Sequence, residues 1–232
     1  MEAEKREKAL QHLVVEIERN ASDTSNWTGR ASFSKTTMAA MASVPREKFV
    51  QPGNEVAAFV NRPQPIGHGQ TISQPYIVAL MTDLLDLKGD EKVLEVGSGS
   101  GYQAAVLAEI LRAGKVYTVE VVPALADLAK RRLTKLGYSN VMLKQGDGYQ
   151  GWSEHAPYDA IVATAAPERL PNALIKQLKS GGRMVVPVGR PHSRQNLVVV
   201  EMSAERKVCS HEVLPVAFVP MVKPKNTNTL LI

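Results

Sequence analysis

The first rhythm of apolar and polar positions in the chain is helical. Leu10, Leu13, Val14 and Ile17 recur at three- and four-residue spacing among charged neighbours, which predicts an amphipathic helix over residues 3–19. A stretch rich in Ser, Thr, Asn and Asp follows at 20–30 and reads as a loop. A short helix is predicted over 35–42, ended by Val44-Pro45, because the residue before a proline disfavours helical geometry. Residues 61–69, punctuated by Pro63, Pro65, Gly67 and Gly69, read as irregular. Ser73-Gln74-Pro75 then opens a helix to about residue 87, with Ser73 suited to the N-cap and Pro75 in the first turn, where its missing N–H is harmless.

After residue 90 the pattern changes to strands alternating with helices. Short β-branched runs bounded by Gly or Asp predict strands at 92–96, 115–120, 141–144, 158–163, 183–188 and 197–202. Helices are predicted between them at 102–111, 123–136 and 171–178. This alternation specifies a doubly wound α/β fold. Residues 1–60 are expected to form a helical segment packed on the core, and 61–232 the α/β domain, the whole making one domain.

Composition narrows the class. Of 232 residues, 44% are hydrophobic and 22% charged, as in an ordinary globular protein. A single cysteine, Cys209, leaves no internal disulfide and fits a reducing compartment. The opening MEAEKREKAL is charged in both signs and carries no apolar run, so no secretory signal is expected. The longest apolar run, 213–222, is broken by Pro215 and Pro220, well short of the roughly 20 residues that cross a bilayer. These features predict a cytoplasmic protein with no membrane partner. The net charge of +5 raises the question of nucleic acid. However, the basic residues are scattered, and their one tight cluster, Lys130-Arg131-Arg132, lies in a helical pattern that reads as a solvated face. No nucleic-acid partner is expected.

The candidate chemistry sits where the first strand of the alternating region meets its helix, at Val93-Leu94-Glu95-Val96-Gly97-Ser98-Gly99-Ser100-Gly101-Tyr102. Glycines at alternate positions let the backbone approach a ligand at the carboxyl end of a strand, where α/β folds bind. A dinucleotide fingerprint would place its last glycine at 102, which is Tyr102. Glu95, just before the loop, would repel a pyrophosphate and attract a ligand carrying an ammonium and a sulfonium; S-adenosylmethionine is such a ligand. Glu120 ends the next strand, 23 positions after Gly97. That is close to the roughly 20-residue offset at which an acid meets ribose hydroxyls, and its two oxygens can accept from both. Gly146-Asp147-Gly148 makes a third acidic turn after the following strand, placed to accept from an adenine amino group. Each motif alone could be an ordinary turn or cap, but three acidic turns at successive strand ends form a pattern.

With these residues in view, the chain resembles the protein-L-isoaspartate (D-aspartate) O-methyltransferases over residues 36–222. Beyond the glycine loop, which many methyltransferases share, the resemblance rests on Gly67-His68-Gly69-Gln70-Thr71-Ile72-Ser73-Gln74-Pro75, Gly146-Asp147-Gly148, Pro157-Tyr158-Asp159-Ala160-Ile161 and Thr164-Ala165-Ala166-Pro167. It continues through Gln177-Leu178, Gly181-Gly182-Arg183, Pro187-Val188-Gly189 and Phe218-Val219-Pro220-Met221-Val222. The first 30 or so residues depart from the pattern and receive no role; nor is His68 taken as catalytic. The resemblance implies a mostly parallel seven-stranded sheet of the S-adenosylmethionine-dependent methyltransferase type, and a single polypeptide acting as a monomer without a metal. It implies a catalytic Ser73 and cofactor contacts at Gln70, Thr71, Ile72, Ser73, Glu95, Gly97, Ser98, Gly99, Gly101, Glu120, Val121, Asp147, Gly148 and Thr164. Substrate contacts fall on Ser73, Gln195, Val219 and Val222.

The implied reaction moves a methyl group from S-adenosylmethionine, leaving S-adenosylhomocysteine, to the free α-carboxylate of an isoaspartyl residue in a damaged protein or peptide. D-aspartyl residues are left open as further acceptors. The ester then collapses to a succinimide, which can reopen as normal aspartate. A free α-carboxyl has a pKa of about 3.5 and is already ionised at neutral pH, so no general base is required. Rival readings are a methyltransferase for another acceptor, a silent binding module and a nicotinamide-dependent oxidoreductase. The first would want an amide or acidic group where Ala163-Thr164-Ala165-Ala166-Pro167 stands, or for RNA a basic stripe interleaved with aromatics. The second would have lost Ser73, Glu95 or Glu120, and the third is opposed by Glu95 and Tyr102.

Overall fold

A computed structural model describes residues 3–191 and 193–224. Seven α-helices are present among them: α1 (Ala3–Asp23), α2 (Ser25–Thr28), α3 (Lys35–Ser43), α4 (Pro75–Asp83), α5 (Tyr102–Ile110), α6 (Pro123–Lys135) and α7 (Asn172–Gln177). The strands are β1 (Gln64–Gly67), β2 (Gln70–Ile72), β3 (Lys92–Val96), β4 (Lys115–Glu120), β5 (Val141–Gln145), β6 (Tyr158–Ala163), β7 (Leu178–Val188), β8 (Gln195–Met202) and β9 (Val208–Val216). β1 and β2 form a separate hairpin, and the other seven make one sheet in the order β5-β4-β3-β6-β7-β8-β9. β8 is antiparallel to both its neighbours, and the remaining pairs are parallel. The order reverses between β3 and β4 on one side and β6 on the other, so a crevice opens beyond Val96, where ligands bind in such sheets.

Alternation along the strands builds two cores. Val93, Val116, Ala160, Val162 and Val185 face α1, α3, α4, α5 and α6; Leu94, Val96, Val119, Ile161 and Met184 face α7 and the loops around it. No described helix is long and apolar enough to cross a membrane.

The elements differ from the sequence-based expectations in five places. Helix α1 runs on to Asp23, and α2 follows inside the stretch read as a loop. The buried stripe Leu13, Ile17, Ala21 continues at four-residue spacing, but its last member is an alanine, too small to stand out in a polar run. Residues 64–72 are a hairpin rather than irregular chain. Its turn has positive φ at both His68 (55°) and Gly69 (70°), which matches the right-handed twist of the strands. The His-Gly pair is not one of the Asn-Gly or Asp-Gly signals that mark such turns. Helix α4 begins at Pro75 with Gln74 as its N-cap, and it ends at Asp83 rather than near 87. Ser73 is therefore not the cap. β7 starts five residues early, at Leu178, with a register shift before Ala160↔Arg183. Strand β9 was not anticipated because it is an edge, with Val213 its one buried residue and Pro215 where no inner strand would tolerate it.

One buried carboxylate ties the start of α3 to the α/β core. Asp83 Oδ1 accepts from the Ser34 N–H (2.8 Å) and the Thr37 hydroxyl (3.2 Å), and Oδ2 lies 3.3 Å from Arg30 Nη1. Ser34 is the N-cap of α3, so Asp83 fixes that helix start against the end of α4. Replacing Asp83 with Ala strands these donors in a buried site and is expected to lower unfolding free energy by about 3 kcal/mol in urea titrations. A loss below about 1 kcal/mol would show that the contact is not a structural anchor.

Candidate active site

Four loops at the carboxyl edge of the sheet, the hairpin and the carboxyl-terminal segment line a partly open cleft of about 750 Å³. Its floor is the turn after β3. Gly97 has φ +97°, and a Cβ there would lie 2.6 Å from Thr164 Oγ1, so the loop after β6 packs directly on glycine. Thr164 donates from its N–H to the Val96 carbonyl (2.9 Å) and from its hydroxyl to the Gly97 carbonyl. A Cβ on Gly148 would meet Val96 Cγ1 at 2.6 Å, closing the same floor from the side of β5.

Period-two alternation puts Glu95 on the α5 face of β3, directly beside Thr118 of β4. Glu95 has no exposed surface. Thr118 donates a short hydrogen bond to Glu95 Oε2, and the Ser98 and Thr118 hydroxyls lie 2.6 Å apart. Burial, helped by the nearby Glu120, pushes the Glu95 carboxyl up to about 8 against the opposing effects of the Thr118 hydroxyl and the Ala104 N–H in the first turn of α5. Oε1 has no partner, although Glu95 lines the cleft. A buried oxygen of this kind costs free energy until a donor meets it.

Glu120 ends β4 and is nearly buried. Its Oε2 accepts from the Gly99 N–H (2.7 Å) and its Oε1 from the Val122 N–H (2.9 Å). It thus ties the glycine loop to the β4–α6 turn, and each oxygen keeps a lone pair for a ligand. Among the described residues no Lys, Arg or His lines the cleft. Two acids without a basic neighbour fit a cationic ligand, and the partnerless Glu95 oxygen fits one that brings a donor.

The far wall is chain that returns from the sheet edge. Ala166 donates to the Val219 carbonyl and Met221 donates to the Ala166 carbonyl, both at 2.8 Å, and the Tyr149 hydroxyl donates to the Met221 carbonyl (3.1 Å). Gln195, buried at the start of β8, grips Phe218 twice: Oε1 accepts from its N–H (2.6 Å) and Nε2 donates to its carbonyl (3.2 Å). A second, open groove of about 1,210 Å³ runs from Asn20 and Thr24 past Tyr76 to Leu214–Val219. It shares Thr71, Ser73, Thr164 and Val219 with the cleft, and Ser73 therefore stands at the junction of the two.

Of the residues singled out from sequence, Gln70, Thr71, Ile72, Ser73, Glu95, Gly97, Ser98, Gly99, Glu120, Val121, Gly148, Thr164, Val219 and Val222 all line the cleft. Gly101, Asp147 and Gln195 do not. Gly101, with φ +91°, is the N-cap of α5 and packs against Ala129 and Leu133. Asp147 spends Oδ1 on the Tyr149 N–H as the cap of a short 3₁₀ turn. Sequence reasoning missed Thr118, whose signal was its place opposite Glu95 on an adjacent strand. It also missed Gln103, Pro220 and Met221, which carry no chemical signature of their own.

Comparison with known proteins places this architecture. The family model described as protein-L-isoaspartate(D-aspartate) O-methyltransferase matches residues 26–226. The protein named protein-L-isoaspartate O-methyltransferase 2 from Polaromonas sp. is 53% identical over 209 residues, covering 90% of this chain and 98% of that one. A solved structure titled protein-L-isoaspartate O-methyltransferase superposes with a TM-score of 0.79 at 27% identity, over 91% of this chain and 65% of that one. A Plasmodium falciparum protein solved in complex with S-adenosyl-L-homocysteine shares the fold at a TM-score of 0.75 and 23% identity, over 94% of this chain and 98% of that one.

The Glu95 carboxyl sets a pH test on the ligand-free protein. Because its folded-state value is raised to about 8, its stabilising contribution is full below the unfolded carboxyl value, falls as pH rises and is gone above about 8. The melting temperature of the wild type is expected to drop between pH 5 and 8.5 by several degrees more than that of Glu95→Gln, which stays neutral. Parallel profiles would mean that Glu95 is ionised throughout.

Proposed function

The chain belongs to the protein-L-isoaspartate (D-aspartate) O-methyltransferase family, and from that premise we propose how its cleft and groove divide the work. The protein is an S-adenosylmethionine-dependent methyltransferase acting on isoaspartyl residues of proteins and peptides. The observation that carries the reading of its site is the position of Ser73 where an acid-lined cleft meets an open groove.

When bound, S-adenosylmethionine supplies an electrophilic methyl carbon on a sulfonium. Glu95, with its free Oε1 as acceptor, would hold the positive end of the ligand, and Glu120 would take the ribose hydroxyls. The backbone of Gly97, Ser98, Gly99 and Gly148 permits close approach, and Gln70, Thr71, Ile72, Val121 and Thr164 complete the enclosure. Asp147 and Gly101 act one layer back, by holding the turns on either side.

The acceptor enters from the groove. Its α-carboxylate is ionised at neutral pH, so the transfer requires no general base. Ser73 Oγ would donate to one carboxylate oxygen and so orient the other to receive the methyl group that S-adenosylmethionine supplies when bound. Val219 and Val222 exclude water at this point, and Gln195 fixes the wall through Phe218. Peptide on either side of the isoaspartyl residue lies along the groove, held mainly by its backbone, so that many flanking sequences are accepted. The ester product closes to a succinimide without further help from the chain. D-aspartyl residues form a second class of acceptor, and the protein acts as a monomer in the cytoplasm.

The Ser73 side chain makes no hydrogen bond to α4, whose cap is Gln74. Ser73→Ala is therefore expected to leave the melting temperature within about 2 °C of wild type while lowering kcat/KM for an isoaspartyl peptide by ten- to a hundredfold. Wild-type enzyme given radiolabelled S-adenosylmethionine should methylate that peptide and not its normal aspartyl twin. Equal labelling of both peptides would refute the acceptor assignment, and unchanged turnover in the variant would remove Ser73 from the reaction.

A further inference from the structure

We infer that Arg46 is a positioning residue that supplies the positive potential for the anionic acceptor, acting through Ser73 without touching the substrate. This inference rests on the reading of Ser73 given above. The acceptor is a carboxylate, yet the cleft is lined by two acids and no base, and no described basic side chain lines the groove either. The sulfonium of the bound donor offsets one of those acids, so an anion entering such a site needs a further compensating charge nearby.

Arg46 is that charge. It follows Pro45 in a single 3₁₀ turn and is 3% exposed. Its Nη2 donates to the Ser73 carbonyl at 2.7 Å, and its Cζ lies 4.7 Å from the centre of the Tyr102 ring, the residue that opens α5. Its Nε and Nη1 have no hydrogen-bond partner. The neighbouring acid does not neutralise it: Glu47 Oε1 is engaged by Arg6 Nε at 2.7 Å. A buried guanidinium held by one carbonyl and one aromatic face is an incompletely paired charge, which proteins seldom tolerate without use. Its field extends through low-dielectric surroundings to the residue whose carbonyl it holds.

The indirect placement follows from the chemistry. A guanidinium in direct contact with the acceptor would clamp both carboxylate oxygens and blunt the attack. Set behind Ser73, it draws the anion in and keeps the Ser73 backbone fixed while both oxygens stay available.

The test compares Arg46→Gln with wild type, using an isoaspartyl peptide as substrate and the same peptide with its α-carboxylate replaced by carboxamide as competitive inhibitor. Gln can keep a donor to the Ser73 carbonyl while losing the charge. The KM for the carboxylate peptide is expected to rise about tenfold, with the inhibition constant of the amide, the affinity for S-adenosylhomocysteine and kcat each within about threefold. A KM within twofold of wild type, or a parallel rise for carboxylate and amide, overturns the inference. If Arg46→Gln does not bind S-adenosylhomocysteine, Arg46→Lys decides. Retained preference for the carboxylate supports the charge, whereas lost preference with intact S-adenosylhomocysteine binding, or failure of both variants to fold, overturns it. If wild type itself leaves the isoaspartyl peptide unmethylated, the acceptor reading fails instead.

Discussion

At the base of the cleft a carboxyl group with no exposed surface lies beside a second acid, and much of the surrounding construction accommodates that pair. Strand alternation turns Glu95 toward α5, and the β3–β4 register sets Thr118 against it. Ser98, from the glycine loop, extends the chain of hydroxyls. Glu120 reaches back to the same loop through the Gly99 N–H. The loop is therefore held from below by both acids, and its position over the crevice follows from strand pairing rather than from glycine flexibility. The arrangement leaves Glu95 Oε1 unsatisfied and its carboxyl raised to about 8. A cation that also donates a hydrogen bond would remove both penalties at once.

The walls above this floor come from segments that contribute little to the sheet. The β1–β2 hairpin brings Gln70, Thr71 and Ile72 to one side, and Ile66 packs 3.4 Å from where a Cβ on Gly99 would lie. The carboxyl-terminal segment supplies the other side, stitched to the loop after β6 by two backbone hydrogen bonds and to β8 by Gln195. Residues that never face the cleft thus control its shape. Gln195 is in this sense a structural partner of Val219, since it fixes Phe218 and thereby the chain that follows.

The legibility of these features in the sequence follows their physical origin. Strands β3, β4 and β6 were read to the residue because buried parallel strands are short apolar runs with sharp Gly or Asp boundaries. The glycine loop and its two acids were legible because their chemistry is local. The hairpin was not, since its turn places a histidine at positive φ where Asn or Asp is the usual sign. β9 escaped notice because an edge strand carries no buried alternation. Ser73 was assigned to the cap because Ser is a strong cap former. Proline at the first helical position gives the cap to Gln74 instead, and the serine hydroxyl is left without a structural duty. Asp147, whose sequence context predicts a ligand contact, also uses Oδ1 to cap the turn that follows it. Arg46, in the stretch between α3 and the hairpin, bears no motif, and only the folded chain brings it to Ser73.

The transfer joins an anion to a cation and leaves two neutral products, so charge disappears as the reaction proceeds. A site that stabilised either reactant by a tight ion pair would hold the ground state more strongly than the transition state and slow the step. The charged groups are placed accordingly. Glu95 and Glu120 lie at the strand ends beneath the cleft, with a hydroxyl and backbone N–H groups donating to them. Arg46 is separated from the acceptor by the Ser73 residue whose carbonyl it holds. The junction of cleft and groove is lined by the neutral side chains of Thr71, Ser73, Thr164 and Val219. Orientation is thereby supplied by dipoles and attraction by more distant charges, the distribution that a charge-annihilating displacement favours.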